Sequence, residues 1–299
     1  MKRISSLMQI SLIVLTLIAL IGVDACPQKN ATTTGFGGLS LNFVDDAPPL
    51  NVIINQKFPI YADVVNLGEA NVNPATAKFY LLGVGKNIEN VQTSLSNKNF
   101  LDKDASERIS FADSAVSTLE LSSPFTAALF LASCYKYGGK AQADICIAGS
   151  NASKVCSISG DKAASNTAEP LQVSALTEEL VGGKLQISFT IVNKGKGEVY
   201  LPGSDCDKLI LPEKKDINEA LKNGKVQISV RTKEDLKCKL QSLAAPYSSV
   251  DSLEGSTTLG KVTCEKNVIG ESDHKAPVQI VLDYVYVESS SQNIIITPN

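Results

Sequence analysis

The chain has 299 residues, a net charge of −3, one histidine and no tryptophan. So balanced a charge leaves no field to gather nucleic acid, and no Lys/Arg cluster is dense enough for a polybasic membrane patch. A single histidine excludes every site that needs two.

Lys2 and Arg3 open the chain, Ile10–Val23 is an unbroken run of apolar or small residues, and Val23-Asp24-Ala25 precedes Cys26. Basic head, short apolar core and small-residue cleavage site make residues 1–25 a secretory signal, too short a run to favour a spanning helix. Its removal leaves 274 of the 299 residues, enough for two domains. Cys26 at the cleavage point resembles the acylated cysteine of bacterial and archaeal lipoproteins. Asp24 fits that pattern poorly, and the alternative is ordinary cleavage with Cys26 free or paired. One acyl chain binds membranes only marginally, so a firm anchor needs more than one. Residues 26–37 read as a flexible tether. Asn30-Ala31-Thr32 and, later, Asn151-Ala152-Ser153 are sequons able to accept glycans.

The rest of the chain repeats. Lys57–Gly68 matches Lys184–Gly195 at an offset of 127, with Phe58, Ile60, Ala62 and Val64 alternating like Leu185, Ile187, Phe189 and Ile191. Period-2 alternation marks strands buried on one face. Asn66-x-Gly68 and Asn193-x-Gly195 then end each strand in a turn, with residues that tolerate positive φ. Further on, Tyr135-x-Tyr137 and Ile145-x-Ile147 match Tyr284-x-Tyr286 and Ile294-x-Ile296 at an offset of 149. Gly138-Gly139 reads as a hairpin turn, with Ser289-Ser290-Ser291 in the same place in the second copy. Val278, Ile280, Leu282, Tyr284 and Tyr286 share one face of a last long strand. The offset grows by 22, from 127 to 149, so the second copy carries an insertion of that size. Residues 206–238 are its expected place, with a short helix over Asp216–Lys222 stopped by Asn223-Gly224 and a helix start at Thr232–Asp235. The fold class is all-β: two tandem immunoglobulin-like antiparallel β-sandwich domains behind a signal segment, with short helices inserted in the second. Their bounds are 38–150 and 169–299, joined by a Ser/Ala/Asn-rich linker at 151–168.

Gly38-Leu39-Ser40-Leu41-Asn42-Phe43-Val44, Pro48-Pro49 and the Val-x-Asn-x-Gly turn resemble CARDB-type immunoglobulin-like modules of archaeal cell-surface and S-layer-related proteins. Cys134-Tyr135-Lys136-Tyr137 with Ile145-Cys146-Ile147 is similar to secreted archaeal proteins of this kind. The resemblance covers most of residues 38–299. Its motifs are turns and strand faces, so it implies fold more than function. The core tryptophan of antibody domains is absent.

Export makes disulfides the favoured use of Cys134, Cys146, Cys156, Cys206, Cys238 and Cys264, since no C-x-x-C spacing marks a metal or redox site. Three cysteines fall on each side of the second copy's start, so complete pairing requires at least one bond between the halves. Cys156–Cys206 is the expected crossing bond and Cys238–Cys264 a staple near the insertion. Cys134–Cys146 remains, although a two-residue turn at Gly138-Gly139 puts them on opposite sheet faces.

Chemistry-bearing residues are sparse. His274 follows Asp273 in a polar stretch and reads as an exposed loop histidine rather than a general base. Asp45-Asp46, Asp102-x-Asp104 and Asp205-x-Asp207 read as solvated loop charges, since calcium needs about 6–8 oxygen ligands and no recognisable loop surrounds them. Tyr135, Tyr137, Tyr284 and Tyr286 read as sheet packing rather than a sugar platform. No catalytic, cofactor-binding or metal site is expected. The residues point to an exported, membrane-anchored, non-enzymatic structural or adhesion scaffold of the cell envelope. Its expected partners are envelope proteins or glycans, and its expected place is the outer face of the membrane or the medium. The alternative is an extracellular binding module for carbohydrate or peptide, a solute-capture lipoprotein. An enzyme with an unrecognised site is the weakest reading.

Overall fold

A computed structural model describes residues 37–83, 91–95, 101–116, 121–150, 153–240, 242–243 and 252–298. The expected signal segment, Cys26, Asn30, all of the expected tether but Gly37, and Asn151 lie outside the described residues. Phe36–Asn299 is one compact unit. The first half carries β1 Leu39–Phe43, β2 Asn51–Ile53, β3 Lys57–Asn66, β4 Lys78–Leu82, β5 Val91–Thr93, β6 Ser106–Val116 and β7 Phe125–Ile147. There follow β8 Asp161–Lys162, β9 Ser165–Asn166, β10 Leu171–Val181, β11 Lys184–Asn193 and β12 Glu198–Tyr200. Helices α1 Cys206–Ile210 and α2 Ile217–Ala220 flank a 3-10 turn at Pro212–Lys214. The last strands are β13 Lys225–Arg231, β14 Lys237–Cys238, β15 Ser242–Leu243, β16 Ser252–Thr258, β17 Gly260–Asn267 and β18 His274–Thr297.

The spine is an antiparallel ribbon of β7 and β18, paired without a break over 23 residues from Phe125↔Ile296 to Ile147↔His274. At about 3.3 Å per residue it is roughly 75 Å long. The sequence builds it by alternation. Ala127, Leu129, Leu131, Tyr135, Tyr137, Ala141, Ala143, Ile145 and Ile147 of β7 all face the main core, as do Val278, Ile280, Leu282, Tyr284, Tyr286, Ile294 and Ile296 of β18. The ribbon is the centre of a ten-stranded sheet running β15-β16-β13-β18-β7-β4-β5, to which β2 and β12 add on β18 and β9 on β7. Two smaller sheets, β1-β3-β6 and β14-β17-β11-β10-β8, cover the inward face and share its core. The result is an all-β sandwich whose sheets are antiparallel except where β2 joins β18 in parallel.

The internal repeat is a pseudo-two-fold. Tyr135 pairs with Tyr286 and Tyr137 with Tyr284. The axis therefore passes through the pair Lys136↔Val285, whose members are themselves 149 residues apart. Around it β1 corresponds to β10, β3 to β11, β4 to β13 and β7 to β18. Leu39 pairs with Asn66 as Leu171 pairs with Asn193, and Lys78 pairs with Cys134 as Gln227 pairs with Asp283. Each half contributes one long strand to both ends of the shared sheet. The bounds at 150 and 169 thus divide the repeat but not the sheet, and the linker between them contributes β8 and β9.

Four expectations are corrected. Gly138-Gly139 and Ser289–Ser291 lie inside unbroken strands and turn nothing. A side chain at Gly138 would meet the Leu282 carbonyl at 3.0 Å, and one at Gly139 would meet Glu169 at 3.5 Å, so these glycines serve close approach. The offset is still 127 at Gly195 and already 149 at Gln227, which moves the insertion from 206–238 to between those residues. It follows β12 and holds α1, the 3-10 turn and α2, the last within the expected Asp216–Lys222 stretch. Thr232 accepts the Glu234 amide in a bend and starts no helix. Finally, the crossing disulfide is Cys134–Cys206 rather than Cys156–Cys206, and Cys146 pairs with Cys156 rather than Cys134. With β7 straight, Cys134 and Cys146 stand twelve residues apart on one strand and cannot meet. Cys238–Cys264 joins directly opposed residues of β14 and β17.

Candidate functional site

The axis is ringed by tyrosines on the inward face. Tyr135, Tyr137, Tyr284 and Tyr286 meet edge to face in a closed ring, with centroids 5.4–6.2 Å apart, an arrangement the aromatic quadrupole favours. Two of their hydroxyls are spent on the repeat's turns. Tyr137 donates to Asn66 Oδ1 at 3.1 Å and Tyr286 to Asn193 Oδ1 at 3.2 Å. The same two oxygens accept the amides of Gly68 and Gly195, while the Asn Nδ2 groups donate to Ala70 and Gly197 carbonyls at 2.8 and 2.7 Å. Gly68 and Gly195 do not have the positive φ expected of them. A Cβ would lie 1.9 Å from the Tyr137 hydroxyl at Gly68 and 2.1 Å from the Tyr286 hydroxyl at Gly195. The Asn-x-Gly motif is therefore a socket for a tyrosine hydroxyl. Tyr135 accepts the Leu39 amide at 2.7 Å. At the equivalent place the Leu171 amide faces Tyr284 without closing a hydrogen bond of normal geometry.

Two carboxylates flank the ring. Burial pushes Glu288 up to about 7, against the opposing pull of a Tyr135 hydrogen bond and the Lys196 charge. Burial also raises Glu169, whose Oε2 has no hydrogen-bond partner. Burial drives Tyr135 and Tyr284 well above the ordinary phenol value and Tyr286 to about 12. The ring stays neutral, and it is core rather than a sugar platform.

The outward face of the ribbon differs on the two sides of the axis. On one side the insertion docks. Cys206, Leu211 and Tyr200 pack with Tyr80, Ala132, Cys134 and Val285 in a second small core. Asp207 Oδ1 accepts from Lys78 at 2.9 Å and from Tyr80 at 2.7 Å. Burial opposes ionisation of Asp207, but these bonds outweigh it and hold the carboxyl below its usual range. Asp205 caps α1 by accepting the Asp207 amide, so the Asp205-x-Asp207 pair is a helix cap and a clasp. On the other side lies an open polar groove of about 290 Å³, lined by Asn71, Asn73, Thr76, Lys136, Tyr137, Gly138 and Asp283.

Three of the remaining site candidates, Asp46, Asp104 and His274, have structural employment. Asp46 and Asp104 occupy left-handed turn positions, φ 59° and 60°. His274 begins β18, where its Nε2 lies 3.0 Å from Glu234 Oε1 and its Nδ1 2.7 Å from the Ser272 carbonyl oxygen. The Glu234 contact raises its pKa. Glu234 also meets Lys266, which bonds Glu271 in turn. Among the described residues no three His, Cys, Asp or Glu side chains gather as metal ligands, and no helix is long and apolar enough to cross a membrane. The groove was invisible in the sequence, because Asn71 and Asp283 are neighbours only through the axis.

No protein-family model and no curated protein matches the chain. Among solved structures, one similar chain is the secreted serine protease VesC from Vibrio cholerae, at 12% identity and TM-score 0.21 over 83% of this chain. The chain spans about half the length of that protease, 50% of which is covered. Another is a DUF3823 family protein from Bacteroides ovatus, at 12% identity and TM-score 0.15, covering 83% of this chain and 98% of its own. Superpositions this loose assign neither activity nor family, and the fold stands on its own geometry.

Proposed function

We propose that the protein is an exported, non-enzymatic structural scaffold of the cell envelope, held at the outer surface or released into the medium. The observation that supports this most is the crosslinked spine. A continuous 23-pair ribbon binds the two halves, and Cys134–Cys206 closes a covalent link from β7 to the insertion of the second half. Three disulfides fit an oxidising compartment. At the axis, Tyr137 and Tyr286 spend their hydroxyls on the turn asparagines Asn66 and Asn193. Shape and stiffness are what such a body supplies.

Limited proteolysis of intact producing cells tests this reading. The native protein is expected in the surface or culture fraction, resistant to protease until its disulfides are reduced. An intracellular pool with free thiols would overturn it.

A further inference from the structure

The groove beside Lys136 is the pseudo-symmetric counterpart of a place that the chain fills for itself in the other half. There β12 pairs with β18 through Glu198↔Val287, Val199↔Tyr286 and Tyr200↔Val285. The counterpart of Val285–Val287 is Lys136–Gly138, and the counterpart of β12 is Asn71–Asn73. In the first half that pairing is not made. Val72 instead exchanges backbone hydrogen bonds with Leu101, at 3.0 and 2.9 Å.

One residue explains the difference. Gly197 enters β12 so closely over β18 that a Cβ there would lie 2.4 Å from the Val287 carbonyl oxygen. Its counterpart is Ala70, which carries that Cβ. Asn71–Asn73 therefore stands off from β7, and the groove is the gap.

Among the described residues the gap leaves a strand edge open. Lys140, further along β7, donates its amide to Thr167 Oγ1 and accepts the Thr167 amide, both at 2.9 Å, on the side away from β18. Backbone groups of a strand alternate sides, so in this unbroken register Lys136 and Gly138 point the same way. Their amides and carbonyls find no partner among the described residues, between β4, which ends its pairing at Cys134, and β9, which begins at Ala141. Unpaired edges are templates for added strands.

We propose that this slot binds a short extended segment of another polypeptide as an added antiparallel strand on Lys136–Gly138. The side chains facing the slot fix its pattern. By the β12 template, the first residue sits opposite Gly138, whose missing side chain uncovers its cross-strand neighbour Asp283. A basic residue fits there. The second points inward as Val199 does, 2% exposed, and is small and apolar. The third lies opposite Lys136, an exposed ammonium with no ion pair among the described residues, and is acidic. The motif is basic–small apolar–acidic. This binding role is additional to the scaffold reading and does not depend on it.

The test is amide exchange and chemical-shift titration of the full exported chain with acetyl-Lys-Val-Glu-amide at millimolar concentration. The Lys136 and Gly138 amides should exchange freely without peptide, whereas Val285 and Val287 are protected. Peptide should slow both and shift them, and the reversed peptide acetyl-Glu-Val-Lys-amide should bind about tenfold more weakly. Ala70→Gly should let Asn71–Asn73 close on β7, protecting both amides and abolishing binding. Protection of Lys136 and Gly138 in the free wild-type protein, or no shift with either peptide, would overturn the proposal.

Discussion

Gly195→Ala tests the socket reading of the Asn-x-Gly motif. The new methyl would lie 2.1 Å from the Tyr286 hydroxyl and 3.0 Å from Pro170 Cβ. Tyr286 cannot withdraw, because its ring is held edge-on by Tyr135 and Tyr284 at 6.1 and 6.0 Å. Overpacking of this kind costs about 1–3 kcal/mol. Tyr286→Phe alone loses the bond to Asn193 and strands the Gly197 amide, which donates to that hydroxyl at 2.9 Å. That change should cost about 1–2 kcal/mol. In the double variant the methyl occupies the hydroxyl's space, so the total should stay near about 1–2 kcal/mol, well short of the sum. Urea unfolding followed by circular dichroism, with m unchanged, reads all three. Costs that add within about 0.5 kcal/mol would refute the socket, since independent sites behave that way.

Removing the crossing disulfide with Cys134→Ala and Cys206→Ala opens a link across 72 residues, worth about 4 kcal/mol by loop entropy, against about 3 kcal/mol for the 10-residue Cys146–Cys156 link. Thermal unfolding should show the larger loss for the first pair, and the reverse order would count against the spine's dependence on it. Glu288, raised from 4.5 to about 7 by burial, binds its proton more tightly folded than unfolded. Stability should therefore be greatest below about pH 4.5 for this group and decline toward pH 7, by roughly 3 kcal/mol. Glu288→Gln should flatten that slope in chemical denaturation at stepped pH, and an unchanged slope would exclude Glu288 as its source. Chains cut within 151–168 should give halves that unfold without cooperativity alone and recover it when coexpressed, because each half lends a strand to the other's sheet. Two cooperative transitions from the separate halves would contradict the shared spine.

Much of the fold was legible because strand periodicity is a local signal. Phe58 to Val64, Leu185 to Ile191 and Val278 to Tyr286 alternate every second residue, and burial on one face demands that pattern wherever the strand ends up. The repeat offsets of 127 and 149 were legible too, and they carried more than domain count. With the observed register they place the two-fold axis at Lys136↔Val285. Three cysteines on each side required a crossing bond by arithmetic alone.

What tertiary structure decided was adjacency. Gly138-Gly139 carries a turn's composition, yet a straight β7 gains 23 paired residues and lets Glu169 and β18 approach the bare backbone, which outweighs the local preference. That straightness separates Cys134 from Cys146 and leaves Cys206 as the partner within reach. The roles of Gly68 and Gly195 depended on tyrosines more than sixty residues away, and that of Ala70 on the contrast with Gly197 across the axis. Sequence determined which faces are buried, because burial is a property of each strand. It could not say which strands meet, because pairing depends on register and on single close approaches between residues far apart in the chain.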